Sequence, residues 1–148
     1  MAASAARRPV AERTGDCLRP VPNDRLEIRN DPQKGRGVFA SAPIAAGTLI
    51  EAAPVIIVPP SQLKLLDQTI LHDYYFSWDG DPGDPKGEGS GAVALGLVAL
   101  CNHSRRPRAR VRRNLAQTTL DLLALVPIAA GDEVTIDYNC PLWFAAQD

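Results

Sequence analysis

The chain has 148 residues, 45% of them hydrophobic and 22% charged, with a formal net charge of -1. That length suits one domain around one substantial core and argues against two, and the near-neutral balance gives no global attraction to nucleic acid or an anionic membrane. Three cysteines, Cys17, Cys101 and Cys140, are too few and too scattered for a four-ligand zinc site, and their odd count fits a reducing compartment.

The first 24 residues, rich in Ala, Arg and Pro, read as a poorly ordered arm before a domain covering 25–148. They lack the apolar centre of a signal peptide, and no stretch reaches the length of a membrane span, so a soluble cytoplasmic protein without a membrane partner is expected. From Arg25, Leu26 and Ile28 alternate with charged residues up to a turn at Asn30-Asp31-Pro32. Lys34-Gly35-Arg36-Gly37 follows. Its glycines allow positive φ or close approach of the backbone to a ligand, and an ordinary hairpin turn is the simpler reading. With no third glycine and no helical pattern after it, the motif is not a dinucleotide fingerprint.

Pro43 to Glu51 predicts a turn and a short strand, and Val55 to Val58 a second strand closed by Pro59-Pro60. Ser61 can cap a helix through about Leu71 whose apolar positions are Leu63, Leu65, Leu66 and Ile70. Tyr74-Tyr75-Phe76-Ser77-Trp78 then holds four of the eight aromatics, suited to a core or to the walls of a cation site. Asp79 to Gly91 is a loop. With Asp67, Asp73, Asp79, Asp81, Asp84 and Glu88 against Lys86 alone, this region forms a solvated acidic zone or a docking surface for a basic partner.

Ala92 to Ser104, AVALGLVALCNHS, is an apolar run that ends on three hydrogen-bonding side chains. Polar capping of a buried element explains that ending. The run also matches an N-glycosylation acceptor, which requires a secreted chain. Six arginines between Arg105 and Arg113 leave a net charge of -7 on the remainder, and Arg108, Arg110 and Arg112 alternate with Ala109 and Val111 as in a strand with one basic face. After a further apolar run, Thr118 to Val126, Pro127-Ile128-Ala129-Ala130-Gly131 repeats the pattern of Pro43 to Gly47. Both copies read as turns entering strands. Val134 to Tyr138 is the last predicted strand, and Pro141-Leu142-Trp143-Phe144 an aromatic tail. Many short strands and one helix predict a mainly β single domain.

The order of four motifs says more than any one of them. Gly35-Arg36-Gly37-Val38-Phe39-Ala40, Pro43-Ile44-Ala45-Ala46-Gly47-Thr48-Leu49-Ile50-Glu51, Asn102-His103-Ser104 after the apolar run, and Gly131-Asp132-Glu133-Val134-Thr135-Ile136-Asp137-Tyr138 together resemble a SET domain. That family comprises protein-lysine methyltransferases that use S-adenosyl-L-methionine. The resemblance spans about Arg25 to Phe144, and Tyr74 to Ser77 and Ala94 to Leu97 also resemble the small SET proteins of bacteria and large viruses. It implies a β-clip of small curved sheets with one short helix, in which the C-terminal segment threads beneath a loop as a pseudoknot and brings Asn102-His103-Ser104 beside Tyr138. By the same resemblance, Lys34, Gly35, Arg36 and Gly37 hold the amino-acid end of the cofactor. Asn102 bonds that end, His103 offers backbone groups to the adenine, and Trp143 stacks on it. Tyr138 stands at the catalytic tyrosine, and Tyr74 is the candidate wall of the lysine channel.

The chain departs from the family pattern after Ser104. Arg105, Arg106, Pro107 and Arg108 stand where members often carry Cys and then Pro-Asn, which removes a zinc ligand and alters the local turn. Ile136 and Val111 are apolar at positions that limit the number of methyl groups added, implying dimethylation or more. The expected substrate is a lysine in a basic, histone-like tail. A non-catalytic SET-like binding module, or nucleic-acid binding through Arg105 to Arg113, stays open at this level, as do a homodimer and nuclear or host-nuclear action.

Overall fold

The computed structural model describes residues 23–80 and 89–138. After a short 3-10 turn at Asn23–Arg25, strands β1 (Leu26–Asp31) and β2 (Gly35–Ala40) form an antiparallel hairpin. Asp31 closes its turn: the carboxylate accepts the N–H groups of Gln33 at 2.7 Å and Lys34 at 2.9 Å, and these bonds hold its carboxyl below the ordinary range. Gly35 then enters β2 at φ 77°, a left-handed conformation that a side chain disfavours.

The second sheet is antiparallel and five-stranded, in the order β4-β5-β3-β7-β6, from β3 (Leu49–Val58), β4 (Tyr75–Ser77), β5 (Gly91–Ala94), β6 (Ala109–Asn114) and β7 (Thr119–Ala124). β3 is one ten-residue strand where the sequence predicts two. The reason is a change of neighbour. Residues up to Pro54 pair with β7 and those from Val55 onward pair with β5, so the proline without an N–H falls at the handover. Its carbonyl still accepts the Leu95 N–H at 2.8 Å.

The predicted helix is shorter than its apolar pattern. α1 (Pro60–Leu66) stops early, and a separate 3-10 turn, Ile70–Asp73, follows. Thr69 divides them: it is extended, at φ -120° and ψ 168°, and its hydroxyl accepts the Leu71 N–H at 3.2 Å, an alternative to helical bonding. Leu65 and Ile70 are 65% and 77% exposed, so those positions bring the helix no tertiary support. Among the described residues no helix is long and apolar enough to cross a membrane.

The two Pro-Ile-Ala-Ala-Gly turns pair with each other. Ile44 and Ile128 exchange both backbone hydrogen bonds at 2.9 Å and are buried, while Gly47 and Gly131 take φ 79° and 88°. The first turn leads into β3, as expected, but the second does not enter a regular strand. Instead, Val134 to Tyr138 bonds three separate neighbours. Val134 N–H donates to Val38 of β2 at 2.8 Å, Thr135 C=O accepts from Ala109 of β6 at 2.9 Å, and Ile136 exchanges bonds with Asn102 and Ser104 at 3.0 Å. This is the threaded C-terminal segment of the knot. Its anchors, Val134 and Ile136, join Val38, Val98, Leu120, Leu122 and Ile128 at the centre of the core.

The basic strand is partly neutralised within the fold. β6 is a sheet edge, with Arg108 on Asp132 at 2.7 Å and Arg112 on buried Asp121 at 2.8 Å. Arg113 donates to the carbonyls of Trp78 and Gly80, both at 2.9 Å. These contacts bind the edge to the neck of the acidic loop, where Asp79 accepts from Ser90 and Gly80 meets Gly89 too closely to admit a Cβ.

Candidate active site

The loop carrying Asn102 and His103 is supported from below by a buried carboxylate. Glu51 of β3 accepts the N–H groups of Leu97 at 2.9 Å and Val98 at 2.8 Å, which start the 3-10 turn Leu97–Leu100. These donors have no partner within the turn itself. Gly96 leaves the carboxylate its space, since a Cβ there would lie 2.7 Å from Glu51 Oε1. The turn delivers Cys101, whose thiol is pushed far up by burial and by the Glu51 and Glu133 carboxylates, so it is an inert core group.

Tyr138 is bonded to this loop at two points. Its hydroxyl donates to the Cys101 carbonyl at 2.9 Å, and its backbone N–H donates to His103 Nδ1 at 3.2 Å. The Asp137 carboxylate lies 3.7 Å from the same nitrogen. The two rings lie 5.3 Å apart, inclined at 56°, with the His103 side chain only 7% exposed and Tyr138 37% exposed. The backbone N–H and C=O of His103 take no partner among the described residues.

The second half of the site comes from the hairpin and the knot. Asn102 Nδ2 donates to the Arg36 carbonyl at 3.2 Å and to Glu133 Oε1 at 2.7 Å, while Lys34 Nζ lies 3.5 Å from Glu133 Oε2. A Cβ on Gly37 would sit 2.7 Å from Glu133 Oε1 and 2.9 Å from Asn102 Nδ2. The Gly-x-Gly is therefore both things at once: Gly35 makes the hairpin, and Gly37 allows the backbone to approach the polar cluster. The cluster offers a cation, two carbonyl acceptors and a carboxylate, a donor set that fits the zwitterionic end of an amino-acid ligand.

Lys34, Arg36, Gly37 and Asn102 thus meet around Glu133, and the residues flanking Asn102, Cys101 and His103, hold Tyr138; Gly35 stays in the hairpin turn. Tyr74 sits apart in sequence and in element, half-buried where the Ile70–Asp73 turn leads into β4, with its N–H on the Leu71 carbonyl at 3.0 Å. Beside it, Tyr75 donates its hydroxyl to Asp67 at 2.8 Å, and burial together with that carboxylate raises its pKa to about 12. Trp143, Asp81, Asp84 and Glu88 lie outside the described residues. Sequence reading missed Glu133, Glu51 and the side-chain role of His103. Only the position of Glu133 within Gly131 to Tyr138 pointed to it.

Comparison with known proteins identifies the family. A model of the SET domain family matches residues 35–139. The Schizosaccharomyces pombe protein named histone-lysine N-methyltransferase, H3 lysine-37 specific, is 35% identical over 126 residues, 84% of this chain and 80% of that protein. Two solved structures share the fold. A Plasmodium falciparum chain superposes with TM-score 0.59 at 24% identity, covering 81% of this chain and 97% of its own. The Neurospora SET domain protein DIM-5, a histone lysine methyltransferase, superposes with TM-score 0.60 at 22% identity, covering 83% of this chain and 55% of its own. The motif order, the threaded segment under the Asn102-His103 loop and the family match together establish that this chain belongs to the SET-domain family.

Proposed function

We propose that this chain is a protein-lysine N-methyltransferase whose catalytic domain is 25–148, preceded by an arm over 1–24, and that it acts on a lysine in a basic, histone-like tail. SET methyltransferases generally use S-adenosyl-L-methionine. When bound, that cofactor supplies a sulfonium methyl group open to in-line displacement by an amine. Lys34 suits its carboxylate. The Arg36 carbonyl and the Asn102 side-chain oxygen suit its ammonium. The backbone of His103, without a partner among the described residues, suits an adenine edge, and Trp143 its face.

Tyr138 carries the chemistry through orientation. Its hydroxyl donates to the Cys101 carbonyl, which fixes the direction of the phenol beside Asn102 and His103. That 2.9 Å bond, beside Asn102 and His103, is the observation on which the reading chiefly stands. A lysine amine has an ordinary pKa of about 10.4 and must arrive deprotonated, which a narrow aromatic channel walled by Tyr74 favours by withholding water from the ammonium form. Asp67, Asp73 and Asp79, on the segment around Tyr74, favour a basic tail, and the name of the yeast relative supports a histone. By their place in the family pattern Ile136, which is buried in the core, and Val111, which packs against it, are apolar at positions that limit methyl number, and on that basis the product is assigned two methyl groups or more.

A lysine-peptide array incubated with the protein and labelled cofactor tests this reading, followed by mass spectrometry of the products. Basic peptides are expected to gain two or more methyl groups. Cofactor-independent binding without transfer would instead identify a binding module, and strictly monomethylated products would refute the assignment of Ile136 and Val111.

A further inference from the structure

The side-chain amide of Asn102 has a defined polarity, and a residue outside the expected site sets it. Nδ2 faces two groups, the Arg36 carbonyl at 3.2 Å and Glu133 Oε1 at 2.7 Å. A carbonyl and a carboxylate only accept, so the end of the amide between them must be the NH2, and both of its N–H bonds are used. The other end, Oδ1, has no partner among the described residues and is left to accept from outside the protein. Lys34 Nζ, 3.5 Å from the second carboxylate oxygen, steadies Glu133, whose side chain is 16% exposed. The missing Cβ of Gly37 is what admits this pair, because any larger residue would overlap both of its polar atoms.

We infer that Glu133 is a positioning residue: it holds the Asn102 amide so that an acceptor, and not a donor, meets the α-ammonium group of the S-adenosyl ligand. The inference rests on the reading above that Lys34 to Gly37 and Asn102 hold the amino-acid end. A neutral Gln at 133 has the same shape but can offer its own NH2. The amide pair can then reverse, turning Asn102 N–H donors toward an ammonium that needs acceptors, and the local negative charge is lost as well. Glu133 therefore decides whether the site distinguishes an intact S-adenosyl amino acid from a truncated thioadenosine.

Calorimetric titration of the whole chain with S-adenosylhomocysteine and with 5′-methylthioadenosine, which lacks the amino-acid end, measures this without turnover. In Glu133→Gln, S-adenosylhomocysteine is expected to bind about tenfold to a hundredfold more weakly, as for a lost charge-assisted hydrogen bond, with 5′-methylthioadenosine unchanged. Equal weakening of both ligands, or no weakening of either, overturns the inference. If thermal unfolding shows that Glu133→Gln does not fold, the wild-type protein decides. Removing the amino group from S-adenosylhomocysteine must cost a similar factor, and unchanged affinity overturns the inference. Wild-type protein that binds both nucleosides equally would instead refute the placement of the amino-acid end, a separate failure.

Discussion

The backbone N–H of Tyr138 donates to Nδ1 of His103, so the end of the C-terminal segment is held by a side chain of the neighbouring loop. The contact helps fix where the tyrosine ring sits, 5.3 Å from the imidazole. His103→Leu keeps an apolar body but removes the acceptor. Single-turnover methylation is expected to fall about a hundredfold, the scale of a small misplacement of a reacting group, while the chain stays folded by circular dichroism.

Tyr138→Phe removes only the hydroxyl that donates to Cys101. Turnover should fall by about 10² to 10⁴, the span associated with losing a positioned hydroxyl that helps handle a proton, with affinity for S-adenosylhomocysteine unchanged. Full turnover with intact cofactor binding would show that the tyrosine does not orient the reaction.

The two glycines of the hairpin should fail differently. Gly35→Ala meets open space but is strained at φ 77°, so it should lower stability by about 1 kcal/mol in urea unfolding and leave ligand affinity intact. Gly37→Ala drives a Cβ against Glu133 and Asn102 and should abolish S-adenosylhomocysteine binding in calorimetry while the hairpin persists. Similar affinity losses in both variants would contradict the division of labour between them.

Glu51→Gln leaves one of the N–H groups of Leu97 and Val98 facing a donor instead of an acceptor. A buried, unpaired N–H costs about 1 to 3 kcal/mol, so the urea midpoint should drop by that equivalent, and the Asn102-His103 loop should exchange its amide hydrogens faster.

Asp121 predicts a component of acid sensitivity. Burial alone would raise its pKa, but hydrogen bonds from Arg112, Thr119 and Asn114 outweigh that and hold the carboxyl below the ordinary range. A lowered folded-state pKa stabilises the fold at pH values above the unfolded pKa of about 3.9, and this contribution disappears as pH falls through the folded value. Asp121→Asn should be less stable than wild type at neutral pH, and the gap should narrow below about pH 4 in urea titrations.

The residues alone determined the family and the frame. Alternating strands and Gly and Pro at turns are local properties, and four motifs in order carry the family resemblance, which is what singled out Lys34 to Gly37, Asn102, His103 and Tyr138. The fusion of β3 across Pro54, the pairing of the two Ile-bearing turns and the neutralising partners of Arg108 and Arg112 needed the tertiary structure, because each depends on which strand lies alongside. So did Glu133 and Glu51. A carboxylate in a strand pattern looks solvated until a backbone from 46 or more residues away turns its N–H groups toward it, or an amide 31 residues away meets it, and no local pattern in the chain records such an approach.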